Sequence, residues 1–371
     1  MKLHTRFICS ALILLILLLS VTLTRADAAA GLPDSPEFAY GARLDMHGEQ
    51  VQSSINVAAG LGLDWIAIDF DWGREWPDAS ILPDLTPLNQ AMANAKQVNL
   101  AVMVSITTPP AWACTAAGPD PNLAASLVIS LARLYPGTLL AVELFPGSNT
   151  IAGWCTIPDP AAYMNLLNTI QASLQTANTP LAIVAGGLVP LPASDAGSGI
   201  HDLVFLDGLY QAGAAQSMPI LSMRLTDVTG DPMTAPNGSE HRLLRHFEEL
   251  RKVMLQYNHQ NGLIWLTGFG WPSGSIQASD SAYATPDAQS QWLNQAYRLL
   301  RPQLYIGAGF YQKLNPGVAL ASQASLVLPD GTLHPACTRL GQLISLEGNT
   351  QTVIFQGSIS KKTPMKLTIK P

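Results

Sequence analysis

Carboxylates stand at or near the ends of several apolar runs in this chain. Asp45 follows Phe38–Leu44, Asp69 and Asp71 close the run that starts at Trp65, Glu143 lies within Leu139–Leu144, and Asp227 follows Ile220–Leu225. Two carboxyls that face each other can divide nucleophilic and general acid–base work between them. Asp69 and Asp71 are two residues apart, so strand alternation turns both to one face and Phe70 and Trp72 to the other. The competing role for such aspartates is to hold loops through backbone amides. Glu143 is expected to point inward as a buried carboxylate satisfied by a polar neighbour. Large aromatic residues (Trp72, Trp112, Phe145, Trp154, Trp271 and Tyr311) also lie at or just past strand ends.

These residues need a scaffold that gathers strand ends. Predicted strands run over Phe38–Leu44, Trp65–Phe70, Leu100–Ile106, Leu139–Leu144, Leu181–Gly186, Ile220–Leu225, Leu263–Thr267 and Leu304–Phe310. Helical patterns intervene, among them Ala161–Ala177, His201–Ala212, Glu240–Tyr257 and Ala288–Leu300; Tyr163, Leu166, Leu167 and Ile170 mark one apolar helical face. This βα alternation predicts a single α/β domain, a (β/α)8 TIM barrel spanning residues 31–347. Such barrels keep their chemistry at the C-terminal ends of the strands. Residues 348–371, with β-branched and apolar stretches at Thr352–Phe355 and Met365–Ile369, read as a short C-terminal β tail.

Residues 1–30 stand apart from the fold. Lys2, His4 and Arg6 precede the apolar run Phe7–Leu23, and Ala26-Asp27-Ala28 offers a small-x-small cleavage pattern. The segment reads as a signal peptide, with an uncleaved membrane anchor as the alternative, since about 17 residues is near the lower limit for a span. Either way the remainder is exported, extracellular or at the cell surface, and the membrane is met only through this segment. In an oxidising compartment Cys114 and Cys155, both in loops at one mouth of the barrel, are expected to form a disulfide, leaving Cys337 as a buried thiol. No Cys/His cluster has metal-site spacing, so neither a metal nor another cofactor is expected. His241, His246 and Glu249 share a helix with Arg242 and Arg245 and read as a solvated face. A net charge of −6 with 12% charged residues and no basic run argues against nucleic acid. Asn237-Gly238-Ser239 fits a glycosylation sequon.

The stretch Ile264 to Trp271 reads I-W-L-T-G-F-G-W, and Ala141 to Asn149 reads A-V-E-L-F-P-G-S-N. The first resembles strand seven of the clan A glycoside hydrolases, normally T-E-F-G-W, and the second resembles their strand four, E-x-W-N-E-x-N. Phe205-Leu206, Tyr210 to Ala214 and Leu328 to Ala336 are also similar to bacterial members, so the resemblance covers essentially the whole mature chain. It implies a retaining-glycosidase barrel with a carbohydrate ligand. It also puts Gly268 at the nucleophile slot, Gly147 at the acid/base slot, Pro146 at an asparagine slot, Asn149 at the last asparagine and Arg224 at a strand-six histidine slot. Glycine carries no group that could attack or donate a proton, so the family mechanism has no catalytic residues here. Arg224 is expected to pair with an anionic sugar or, by preference, with a structural carboxylate such as Asp71.

Sugar rings present C–H faces that pack on aromatic side chains. Trp72, Trp112, Phe145, Trp154, Trp271 and Tyr311, with Asn149 and Arg224, are therefore the candidate carbohydrate contacts; the bland reading of each aromatic is core packing. The expectation is an exported, catalytically inactive pseudoenzyme acting in carbohydrate binding or as a scaffold. The alternative is an active O-glycosidase that draws its carboxylates from Asp69, Asp71 or Asp45, with Glu143 as a further fallback.

Overall fold

The computed structural model describes residues 38–191, 197–225, 228–236, 242–271, 285–317 and 325–355, with side chains to residue 346. Eight parallel strands close into a barrel: β1 Ala39–Leu44, β2 Trp65–Asp71, β3 Ala101–Thr107, β4 Leu139–Leu144, β5 Ala182–Leu188, β6 Ile220–Leu225, β7 Leu263–Phe269 and β8 Ile306–Tyr311. Each strand pairs with its neighbours in the chain, and β8 closes on β1 through Ala39↔Ala308 to Ala42↔Tyr311. Helices α1 Val51–Leu61, α2 Thr86–Gln97, α3 Pro121–Leu134, α4 Pro160–Thr176, α5 Asp202–Gln211, α6 Phe247–Gln256, α7 Pro286–Leu300 and α8 Pro335–Phe355 each follow one strand.

The helix starts are written into the sequence. Asp120, Asp159 and Thr285 stand before Pro121, Pro160 and Pro286, and their side chains accept from Leu123, Ala161 and Ala288 backbone amides. An oxygen-bearing cap followed by proline satisfies one orphan donor and omits another.

Two apolar layers hold the barrel. The larger lies between strands and helices. The smaller fills the barrel interior with Ala67, Met103, Ala141, Val184, Ile220, Trp265, Ala308 and Phe310. Cys337 is buried on α8, and burial pushes its thiol up to about 11. Its protonated form is thus favoured by folding, a contribution complete below the ordinary value of 9.0 and lost as pH rises through about 11. In protein lacking residues 1–30, which carry Cys9, we expect no reaction of Cys337 with a thiol reagent at pH 8 in the native state and one equivalent per chain in denaturant. Equal rates in both conditions would contradict the burial.

Three expectations are corrected. Thr352–Phe355 end helix α8 rather than forming an extra β element, so the boundary expected at residue 348 falls inside a helix; Met365–Ile369 lies outside the described residues. The helix expected from Glu240 begins at Phe247, after a short 3-10 turn Leu244–His246. His246 is not on a solvated face: it is 4% exposed, and its Nε2 lies 2.6 Å from Asp202 Oδ2 between α5 and α6. The sequon at Asn237 and the leader also fall outside the described residues.

Candidate functional site

A polar layer lies directly above the apolar interior. Asp69, Ser105, Glu143 and Thr267 each stand two residues beyond an interior apolar residue: Ala67, Met103, Ala141 and Trp265. Alternation therefore points all four toward the barrel axis, one level nearer the C-terminal mouth. Arg224 stands four residues beyond Ile220 on β6, and Arg43 enters from β1.

Two guanidinium groups and two carboxylates meet there. Arg43 donates from Nη1 to the Thr267 carbonyl at 2.7 Å and from Nη2 to Asp69 Oδ1. Arg224 Nη2 donates to the same Asp69 oxygen at 2.9 Å and to Glu143 Oε2 at 3.3 Å. Ser105 Oγ donates to Glu143 Oε2 at 2.5 Å, and Thr267 Oγ1 donates to Glu143 Oε1 at 2.5 Å. Exposure grades the layer from floor to mouth. The Glu143 side chain is 0% exposed, Arg43 9%, Arg224 13% and Asp69 47%. Buried charges are tolerated only when paired and hydrogen-bonded, and this cluster meets both conditions for Glu143.

The electrostatics follow from these contacts. Burial, reinforced by neighbouring Arg224, lowers Arg43 to about 10 against the pull of Asp69 and Glu143. At Asp69 burial raises the pKa, but Arg224 and Arg43 together outweigh it and hold the carboxyl below the usual carboxylate range. Asp69 is therefore fixed as an anion at neutral pH, the opposite of what a general acid requires.

Gly268 faces this layer. The β6–β7 register shifts between Met223↔Leu266 and Arg224↔Gly268, a bulge that brings Gly268 beside Arg224 on the inner face. A Cβ at Gly268 would lie 3.2 Å from Arg43 Cδ and 3.3 Å from Arg224 Cγ. The space beside it is taken by the two arginine stems. Gly147 differs. The chain leaves β4 with Phe145 at φ 48 and Gly147 at φ 82, and a Cβ at Gly147 would meet Thr150 Oγ1, Gly153 and Val189 in the surrounding loops. The nearest neighbours of the two glycines do not overlap.

Asp71 Oδ1 accepts from Arg74 N at 3.0 Å and caps the short helix Trp72–Glu75; Arg224 pairs with Asp69 and Glu143 rather than with Asp71. Asp45 Oδ1 accepts from His47 N in a turn, and Asp227 lies outside the described residues. Asn149 is buried and spends its amide on the backbones of Val189 and Ile200. Trp72, Phe145, Trp154, Trp271 and Tyr311 are each at most 1% exposed. The Trp154 and Trp271 indoles donate to Ala117 and Gly230 carbonyls, and Gln289 donates to Tyr311 Oη. Trp112 alone of the six is partly exposed, edge-to-face with the partly exposed Trp76 at 5.0 Å. Cys114 and Cys155 are joined in a disulfide that ties the loop after β3 to the loop after β4.

Arg43, Ser105 and Thr267 join the site from outside the sequence expectations; the signal for them is a charge or hydroxyl inside an otherwise apolar strand. His47 and Glu75 form a second polar contact above β1 and β2, Nε2 to Oε1 at 2.7 Å. Among the described residues no group of three or more His, Cys, Asp or Glu could hold a metal.

No protein-family model matches the sequence, and no curated protein resembles it significantly. Solved structures do. A family 39 glycoside hydrolase from Bacteroides cellulosilyticus WH2 superposes with a TM-score of 0.60 at 15% identity, over 85% of this chain and 65% of that one. This chain thus spans less than two thirds of that protein's length. A GH5_18 protein from Streptomyces cattleya, crystallised with GlcNAc, gives 0.61 at 11% identity, over 84% and 80% of the two chains. A family 128 endo-β-1,3-glucanase from Sorangium cellulosum gives 0.52 at 15% identity, over 82% and 98%. These neighbours are clan A glycoside hydrolases with the same closed, eight-stranded parallel barrel. At such identities the likeness bears on fold.

Proposed function

We propose that this chain is an exported, non-hydrolytic member of the glycoside hydrolase-like barrels that binds carbohydrate at its mouth. A glycoside hydrolase-like fold supports a carbohydrate-related function in general. The observation that carries the finer reading is the arginine–carboxylate cluster. Arg43 and Arg224 fill the space beside Gly268, where the family resemblance puts a nucleophile, and both lean on Asp69.

Export is supported by the disulfide and by the leader pattern. No helix among the described residues is long and apolar enough to cross a membrane.

One observation favours an enzyme. Asp69 and Glu143 share Arg224 Nη2 at 2.9 and 3.3 Å, so their nearest oxygens lie within about 6 Å, close to the separation of about 5–5.5 Å used by retaining enzymes. Against it, Asp69 held ionised can serve only as nucleophile or base, and its partner Glu143 is sealed from solvent with hydroxyl and guanidinium donors on its oxygens, out of reach of a substrate. The expected result is binding on a glycan array with no turnover of aryl glycosides above a buffer blank. Turnover that Asp69→Asn abolishes would replace this reading with the enzymatic one.

A further inference from the structure

We infer that the ligand at this mouth is an uncharged sugar, held through two neighbouring hydroxyls by Asp69 and Arg224 acting as a pair. The inference rests on the carbohydrate reading and adds the ligand's charge class and its contact residues.

Charge balance comes first. The layer holds two guanidinium groups and two carboxylates, each linked to an opposite partner. A uronate drawn to Arg224 would lie beside the half-exposed Asp69, and an ammonium drawn to Asp69 would lie beside Arg224, because the two groups are bonded to each other at 2.9 Å, so each charged sugar gains one partner and meets one like charge. Like charges placed side by side at an interface are strongly discriminating. A neutral ring disturbs neither partner.

Unused hydrogen-bonding capacity comes second. Asp69 Oδ1 receives both arginines, and among the described residues Oδ2 has no partner, while the side chain is 47% exposed. Arg224 donates only through Nη2. Its Nε is buried without a partner, and among the described residues its Nη1 has none. The mouth therefore offers a free acceptor and a free donor on two groups already bonded to each other at 2.9 Å. A hydroxyl both donates and accepts. Of two adjacent ring hydroxyls, one can donate to Asp69 Oδ2 while its neighbour accepts from Arg224 Nη1.

Preorganisation comes third. Arg43 is buried, anchored on the Thr267 carbonyl, and grips Asp69 from below. Fixing the acceptor in advance removes much of the ordering cost that weakens binding by flexible surface side chains.

The test uses the intact protein and three matched oligosaccharide sets on one backbone: neutral, with uronic acid units, and with amino sugar units. Titration calorimetry at pH 7 should show the neutral set binding at least about tenfold tighter than either charged set, because each charged set places like charges together. Asp69→Asn should weaken the neutral set by about tenfold or more, since the lost contact is to a charged acceptor. Its fold would be checked by circular dichroism. Equal or tighter binding of a charged set to the wild type would overturn the inference while leaving the carbohydrate reading intact, and this arm needs no variant to fold. Undiminished neutral binding by folded Asp69→Asn would also overturn it. Absence of binding to all three sets would sink the carbohydrate reading itself and the inference with it.

Discussion

Glu143→Ala is expected to cost about 3–5 kcal/mol of unfolding free energy, the usual result of removing one partner from a buried charge pair. The carboxylate accepts from Ser105, Thr267 and Arg224 and has no solvent exposure. Its loss leaves two neighbouring guanidiniums sharing the half-exposed Asp69, with two buried hydroxyls deprived of their acceptor. Mutual repulsion already contributes to the lowering of Arg43, and removing an attractive partner acts in the same direction. Glu143→Gln keeps the volume and some hydrogen bonds, so it should lie between wild type and alanine. Urea unfolding of the three proteins measures the order. A change of under about 0.5 kcal/mol for alanine, the scale of an ordinary surface substitution, would mean that the layer is not a stabilising unit.

The second large effect concerns the disulfide. Cys114 and Cys155 are 41 residues apart, and a cross-link closing a loop of that size restricts the unfolded chain by about 4 kcal/mol in the loop-entropy model. The bond also holds a packed corner. Trp154, next to Cys155, donates its indole N–H to Ala117, and its ring lies against Gly118, where a Cβ would overlap it at 2.3 Å. The Cys114→Ser, Cys155→Ser double variant should unfold at a clearly lower temperature than wild type. A reductant should shift wild type toward the variant and leave the variant unmoved. Identical melting curves with and without reductant for wild type would contradict the bond.

Much of the barrel was legible because each unit repeats one physical pattern. β4 and β6 were bounded correctly, since Leu139–Leu144 and Ile220–Leu225 are apolar runs ended by turn-forming residues or by a charge. β8 begins at Ile306 and not at Leu304, because Leu304 extends the apolar run in sequence yet is 77% exposed in the turn after α7. The C-terminal tail departs from its local pattern for a related reason. Thr352–Phe355 is short and β-branched, but it continues the helix begun at Pro335, and local preference yields to that context. Within the site, Glu143 as a satisfied buried carboxylate followed from strand alternation. Its ion pair with Arg43, Nη1 to Oε2 at 3.9 Å, did not, because contacts between β1 and β4 depend on the diameter and stagger of the closed barrel, which no local pattern records. Aromatic position was a poor guide to exposure. Trp72 and Trp271 stand at strand ends as expected, yet both rings are buried, Trp271 against Phe269 and Trp292.

The left-handed path after β4 has a consequence for how far this sequence stands from the paired-glutamate arrangement that the family resemblance implies. Phe145 and Gly147 both have positive φ, and any side chain at position 147 is aimed into the loop packing of Thr150, Gly153 and Val189. A larger residue there would be strained whatever its chemistry. Two codon changes, to glutamate at positions 147 and 268, would therefore not produce an opposed acid pair. The first would have to re-lay a turn, and the second would have to displace both arginine stems. A sequence carrying the family's paired glutamates therefore lies across a backbone rearrangement after β4 and not merely across two substitutions.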